Sequence, residues 1–293
     1  MGLRIRTNVA SLSAQRNLGL TTNAKSESMG KLASGYRINK SADDAAGLAI
    51  TETMKAKVRS MDVARRNAND GVSMLQVAEG SMNEVSSILV RLRELAVQSA
   101  SDTIGNTERS YTNREYVQLV DEIDRISNST DFNGIKLLGG SDEIGLEELT
   151  IHVDAGNGKT PNTDTISFNV NEFQINAEEI LGLQKGSEIG PLQDGDSFLR
   201  ESASEKIDVI DRALSLVASN RATIGAKQSR LQSAINNIGV KIENTQAAKS
   251  RIKDVDFAAE TATLTQMNIL SQAGTSVLSQ ANNAPELALA LLR

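Results

Sequence analysis

The chain has 293 residues, enough for one to three domains with a sizeable buried core, and its net charge of −6 argues against nucleic acid as the main partner. It has no Cys and no Trp, and aromatic residues make up 3% of it; that excludes a disulfide framework and thiolate chemistry, and it suits narrow aliphatic seams between helices better than a large enzyme core. Three prolines, Pro161, Pro191 and Pro285, leave long stretches where helices run unbroken.

The first forty residues are basic, with Arg4, Arg6, Arg16, Lys25, Lys31, Arg37 and Lys40 against Glu27. Arg4 and Arg6 are not followed by an apolar core segment, so a cleavable secretory signal is not expected. Apolar runs are short, as in Leu287–Leu292, against the ~20 residues a spanning helix needs, so membrane insertion is not expected either. Residues 3–38 and 256–293 read as helical, but Ala, Ser, Thr, Gln and Asn dominate both, and their apolar faces are thin. Neither carries enough apolar area to offset its own ordering entropy, so both are expected to order only against other copies.

A first helical block spans about 3–130. The segment Ser41-Ala-Asp-Asp44 offers an N-cap at Ser41 with an acid three residues on. From Met61 a heptad stripe follows. Met61, Ala68, Leu75, Met82, Leu89 and Ala96 fill one row, and Ala64, Gly71, Ala78, Val85 and Leu92 the other. Ser101–Gly105 reads as a turn. A further helix places Tyr116, Leu119 or Val120, Ile123 and Ile126 on one face and ends at the turn signal Asn133-Gly134.

Between the blocks, Leu149–Val153 and Thr165–Val170 alternate apolar with polar and read as a β-hairpin. Ala177–Leu183 reads as a short helix and Lys185–Ser197 as exposed loop. The stretch from about 142 to 208 is acidic. A second helical block starts near Ser202. Its seam runs through Ile207, Ile210, Leu214, Val217, Ile224, Leu231, Ile235, Ile238, Ile242 and Ile252, with Arg221, Gln228 and Lys249 as polar exceptions. The intramolecular seam is therefore assigned to Met61, Leu75, Met82 and Leu89 against Ile207, Leu214, Ile224, Leu231, Ile235 and Ile242.

Enzyme signatures are absent. One His, His152, in a strand-like alternation reads as a solvent-facing residue, and without Cys it makes no zinc site. Gly158-Lys159-Thr160 lacks the first glycine of a phosphate-binding loop, since Val153 stands there, and reads as a turn. Acidic pairs such as Glu147-Glu148 and Asp194-Asp196 read as solvated loop charge. No catalytic residue, metal site or cofactor is expected.

Six segments now carry a resemblance. Leu32–Ile50, Leu92–Ser99 with Asn133–Leu138, Ser250–Phe257, and Ile269–Leu278 with the closing Leu291-Leu292-Arg293 resemble the signature blocks of bacterial flagellin. Together they cover about 1–140 and 200–293. The resemblance implies a mainly α fold with long antiparallel coiled-coil-like helices formed by the N- and C-terminal blocks, plus a small central β-hairpin. It implies an inner terminal domain from 1–40 with 256–293, a helical shell from 41–140 with 200–255, and a short variable region at 141–199. It further implies a short flagellin that self-polymerises into the extracellular flagellar filament, packing copies through Val9, Leu12, Ile269, Val277 and Leu292. Its other implied partners are an export chaperone and export gate of the type III apparatus, and cap and junction proteins. By motif, Arg91, Leu95 and Glu115 fall where flagellins contact vertebrate Toll-like receptor 5.

Three rival readings stand beside this one. A hook–filament junction protein shares the terminal helices, but the match at Leu32–Ile50 and at the C-terminus favours flagellin. A soluble coiled-coil signalling protein has no need of two marginal, matching termini. A secreted enzyme has only 141–200 to use, which is small and lacks a catalytic constellation.

Overall fold

A computed structural model describes residues 7–139, 148–156, 164–175, 181–183 and 200–290. The elements in order are α1 (Val9–Ser34), α2 (Ala45–Ser99), α3 (Asn106–Ser129), β1 (Asp131–Phe132), β2 (Ile135–Lys136), β3 (Glu148–His152), β4 (Thr165–Asn169), a 3-10 turn at Val170–Phe173, α4 (Arg200–Lys253) and α5 (Phe257–Ala290). Each sheet is an antiparallel pair, β1 with β2 and β3 with β4. This is a mainly α fold with a small central hairpin. The chain divides into two compact units, Met1–Val58 with Glu243–Arg293, and Arg59–Ile242; both divisions fall inside long helices, α2 and α4.

In the second unit the core follows the heptad stripe of α2. Met61, Ala64, Ala68, Leu75, Ala78, Met82, Val85, Leu89, Leu92 and Ala96 are all buried. Both rows are covered because α2 has neighbours on several sides. Its Ser99 Oγ lies 3.1 Å from Thr112 Oγ1 of α3, and its Arg93 Nε donates to Asp211 Oδ1 of α4 at 2.7 Å. Glu79 Oε2 accepts from Gln228 Nε2 of α4 at 3.0 Å, so one polar exception on the second seam meets a partner on the first. Moving along α2 from Glu79 to Arg93 moves back along α4 from Gln228 to Asp211, which is an antiparallel register.

Helix α4 buries mainly one of its two rows. Ile210, Val217, Ile224, Leu231, Ile238 and Ile242 are buried, whereas Ile207, Leu214, Arg221, Gln228 and Ile235 are half-buried. The sequence seam treats the two rows as equivalent. The structure makes the second a rim, where Arg221 and Gln228 keep their polar ends near solvent.

The hairpin β3–β4 is anchored by side chains rather than by a wider sheet. Leu149 faces Phe168 and Ile151 faces Ile166 in its register, and His152 is exposed, opposite Thr165. A Cβ at Gly71 of α2 would overlap Ile151 Cδ1, so the missing side chain makes the notch that seats the hairpin. From α4, Lys227 Nζ donates to Ser167 O at 3.1 Å and lies 5.6 Å from the centroid of the fully buried Phe168 ring, and Lys241 pairs with Asp154. Leu181 and Leu183 are buried around Gly182, and residues 181–183 are not helical; the rest of the expected Ala177–Leu183 helix, the Lys185–Ser197 loop and Gly158-Lys159-Thr160 lie outside the described residues.

One start signal is corrected. Asp44, not Ser41, caps α2: its Oδ1 accepts from Gly47 N at 2.8 Å and its C=O from Leu48 N at 3.0 Å. Asp43 Oδ2 meanwhile accepts from Asn39 N and Lys40 N, closing the preceding turn. Ser41 sits inside that turn.

Two measurements check this packing. Leu89→Ala removes a fully buried side chain and should lower unfolding free energy by about 2–5 kcal/mol, while Val90→Ala, 48% exposed, should stay within roughly 0.5 kcal/mol by urea titration of circular dichroism. Tyr116 is fully buried and its hydroxyl has no hydrogen-bond partner, and burial pushes its phenol from 10.0 up to about 12. The folded phenol keeps its proton after the unfolded one has lost it, so this stabilisation is complete below pH 10 and is lost as pH rises towards about 12. Tyr116→Phe should leave Tm at pH 7 equal or higher and flatten its fall across that window.

Candidate assembly surface

The first unit is built on a different principle. Helix α1 is capped by Asn8, whose Oδ1 accepts from Ser11 N at 3.0 Å, and ends on Gly35 in the left-handed region with φ 73°. Helix α5 is capped by Asp256, whose Oδ1 accepts from Ala258 N and Ala259 N at 2.9 and 3.2 Å. The two helices run antiparallel. Asn8 Nδ2 donates to Ala281 O at 2.7 Å and Ser11 Oγ to Asn282 Oδ1 at 2.6 Å, and a Cβ at Gly274 would lie 3.2 Å from Leu18 Cδ1.

The chain strands joining these helices to α2 and α4 cross at a clasp. Tyr36 bridges Asp254, Arg37 N donates to Lys253 O at 2.7 Å, and Val255 N donates to Gly35 O at 3.0 Å. Lys253 Nζ sits 4.9 Å from the Tyr36 ring centroid and 3.4 Å from Glu52 Oε1.

Small residues let α1 and α5 approach closely, with Cα atoms within 8 Å along the pair. Close backbones leave little room for side chains between them, so the pair has almost no core. Among its described residues only Ser28 is buried. Leu18, Leu32, Leu264, Met267 and Leu278 are half-buried, and eight larger apolar side chains face out: Val9, Leu12, Leu20 and Met29 on α1, and Phe257, Ile269, Leu270 and Val277 on α5, with Ile269 63% exposed. On α5 they are ordered. The rows Phe257, Thr261, Thr265, Ile269 and Ala258, Ala262, Gln266, Leu270 each step by four and line one shallow apolar groove.

Of the residues singled out for contacts between copies, Val9, Leu12, Ile269 and Val277 thus lie exposed, and Leu292 lies outside the described residues. Leu20, Met29, Phe257 and Leu270 are equally exposed and were not singled out. The step of four from Phe257 to Ile269 is the signal in the sequence that finds part of this set.

The three receptor-motif residues part company. Arg91 and Glu115 are exposed and joined, Nε to Oε1 at 2.8 Å, and Glu94 accepts from Arg91 Nη1 at 2.9 Å. The Glu94 and Glu115 carboxylates hold the guanidinium above its ordinary value. Leu95, 1% exposed, lies outside both rows of the α2 stripe and is buried on the side where Arg91 and Ser99 meet α3. Leu95 stands one helical turn from each of these two residues, so the motif spacing matches a contact patch while α3 covers its middle.

Among the described residues no cluster of three metal-ligating side chains occurs, and no helix is long and apolar enough to cross a membrane. What the first unit offers is an extended, weakly covered apolar surface on a paired helix.

Comparison with known proteins shows the family. The bacterial flagellin N-terminal helical region matches residues 5–143, and the C-terminal helical region matches residues 207–292. A flagellin of Halalkalibacterium halodurans is 40% identical over 99% of both chains, and a flagellin of Bacillus subtilis is 38% identical over 99% of this chain and all of its own. A solved structure described as a putative flagellar hook-associated protein from Vibrio parahaemolyticus shares the fold, with a TM-score of 0.58 and 15% identity over 72% of this chain and all of that one. Both ends of the chain and its whole length are therefore accounted for by one family, and the chain belongs to the bacterial flagellins.

Proposed function

We propose that this chain is the structural subunit that polymerises, copy on copy, into the helical filament of the bacterial flagellum. The observation that carries this reading is the α1–α5 pair, which exposes eight large apolar side chains and fully buries none among its described residues. Burying those eight side chains against neighbours would contribute on the order of 10 kcal/mol per subunit before any cost of association. The inner terminal part is assigned to 1–40 with 256–293, the helical shell to 41–140 with 200–255, and the short variable region to 141–199. Contacts between copies through head-to-tail patches whose rotation does not close give a helical polymer.

The same exposed α5 groove is what an export chaperone would cover before assembly, and passage through the type III export gate fits a chain whose ends fold only on docking. Cap and junction proteins would meet the same terminal surfaces. The rival junction reading gains only a shared fold from its 15% identical structure.

Purified chain, melted to monomers and cooled with short filament seeds, should give filaments by electron microscopy. Ile269→Asp with Val277→Asp should leave the monomer Tm nearly unchanged, because both positions are exposed, and abolish elongation. Seeded growth of a chain lacking 1–38 and 256–293 would sink this reading, and failure of the full chain to extend seeds would favour the junction protein.

A second reading keeps vertebrate Toll-like receptor 5 as a partner of the monomer, supported by the exposed Arg91–Glu115 pair. Arg91→Ala with Glu115→Ala should weaken receptor signalling by monomer about tenfold or more, as loss of charged anchors does. Unchanged signalling would remove the receptor from the partners.

A further inference from the structure

The turn between β1 and β2 carries a chemical liability that the fold is arranged to contain. Asn133 and Gly134 are both exposed. Asn133 has φ 52°, the described non-glycine residue in the left-handed region, and Gly134 follows at φ 81°. An asparagine followed by glycine is the sequence most open to loss of its side-chain amide, because glycine puts no side chain in the way of its own nitrogen.

We propose that Asn133 is a spontaneous deamidation site that the β1–β2 hairpin holds closed, with the hydrogen bond from Gly134 to Asp131 as its guard. In the reaction the Gly134 main-chain nitrogen gives up its proton and attacks Asn133 Cγ. The bond from Cγ to Nδ2 breaks, and that nitrogen leaves with the proton as ammonia. The five-membered imide then adds water at either carbonyl and opens to aspartate or isoaspartate. The second product inserts a methylene group into the main chain.

Three features oppose the first step in the folded chain. Gly134 N–H, the group that must lose its proton, donates to Asp131 Oδ2 at 3.3 Å. The ladder fixes the torsions on both sides of Asn133, pairing Phe132 with Ile135 and Asp131 with Lys136, and Leu137 N continues it to Thr130 O at 3.1 Å. Lys136 Nζ donates to Asn128 O at 2.6 Å and ties β2 to the end of α3. Nitrogen and Cγ therefore cannot swing together without opening the hairpin, and the reaction belongs to the unfolded chain. An isoaspartate made there would not fit the two-residue ladder on folding. None of this depends on how the chain assembles.

The test follows amide loss in the full-length monomer at mildly alkaline pH by peptide mass mapping, with isoaspartate read by enzymatic methyl transfer. Asn157-Gly158 supplies the same dipeptide within the chain as a reference when both are unfolded in urea. Loss at Asn133 should be about tenfold or more slower in the folded chain than in urea, as local protection of this kind gives. Asp131→Ala should speed the folded reaction severalfold and leave the rate in urea unchanged. Asp131→Asn keeps an oxygen acceptor for Gly134 and should stay slow. Equal rates in folded and unfolded chain overturn the proposal, as does an Asp131→Ala chain that stays slow or an Asp131→Asn chain as fast as Asp131→Ala.

Discussion

The apolar stripe from Met61 to Ala96 on α2 is the surface against which α3, α4 and the β3–β4 hairpin are all buried. A helix that must serve three neighbours cannot carry bulky residues everywhere. The stripe mixes Met and Leu with Ala64, Ala68, Gly71 and Ala78, so its profile varies along the helix. Gly71 is the extreme case, vacated entirely for Ile151 of the hairpin. This explains the low aromatic content. Packing between several long helices is satisfied by graded aliphatic sizes, and the aromatic rings that do occur in the core, such as Tyr116 and Phe168, sit where a second or third element adds depth.

The α1–α5 pair applies the same small residues to a different end. There the small positions bring two backbones together without a core, so the pair is held by caps, by the Asn8 and Ser11 contacts with Ala281 and Asn282, and by the Tyr36–Lys253 clasp. Each of these is partly exposed and individually worth little, about 1 kcal/mol or less for an ordinary hydrogen bond. The pair is thus specified in register yet weakly held, while its apolar side chains remain outside.

Much of this was legible in the sequence because periodicity reports which face of an element is apolar. The two seams and the hairpin alternation follow from spacing, and the thin terminal faces from composition. Spacing does not report how many neighbours a face will meet. That is why Ile207, Leu214 and Ile235 read as equal to Ile210 and Val217 but lie on a rim, and why Leu95 matched a contact motif although α3 covers it. Ser41 and Asp44 both satisfy the composition of a cap, and only the turn closed by Asp43 decides between them. The exposed groove on α5 was half legible: its step of four is visible from Phe257 to Ile269, but exposure depends on α1 approaching from the other side, where Gly274 and the small residues let it.

These magnitudes bear on how such a chain polymerises. Burying all eight half-exposed apolar side chains yields on the order of 10 kcal/mol per subunit, and fixing a subunit costs an estimated ~4–15 kcal/mol, so a contact with one other copy, which covers only part of that surface, does not offset the cost. Pairs of monomers should then be scarce. A subunit arriving at the end of an existing polymer meets several neighbours at once, and the cost of immobilising it is borne once while the partial burials add up to the whole. Growth from seeds becomes favourable under conditions where starting a new polymer is not. The thin apolar faces of the terminal helices are consequently more than a weakness of the monomer. On the proposed contacts they hold the strength of any single interface low, so that addition is confined to ends where several neighbours are already in place.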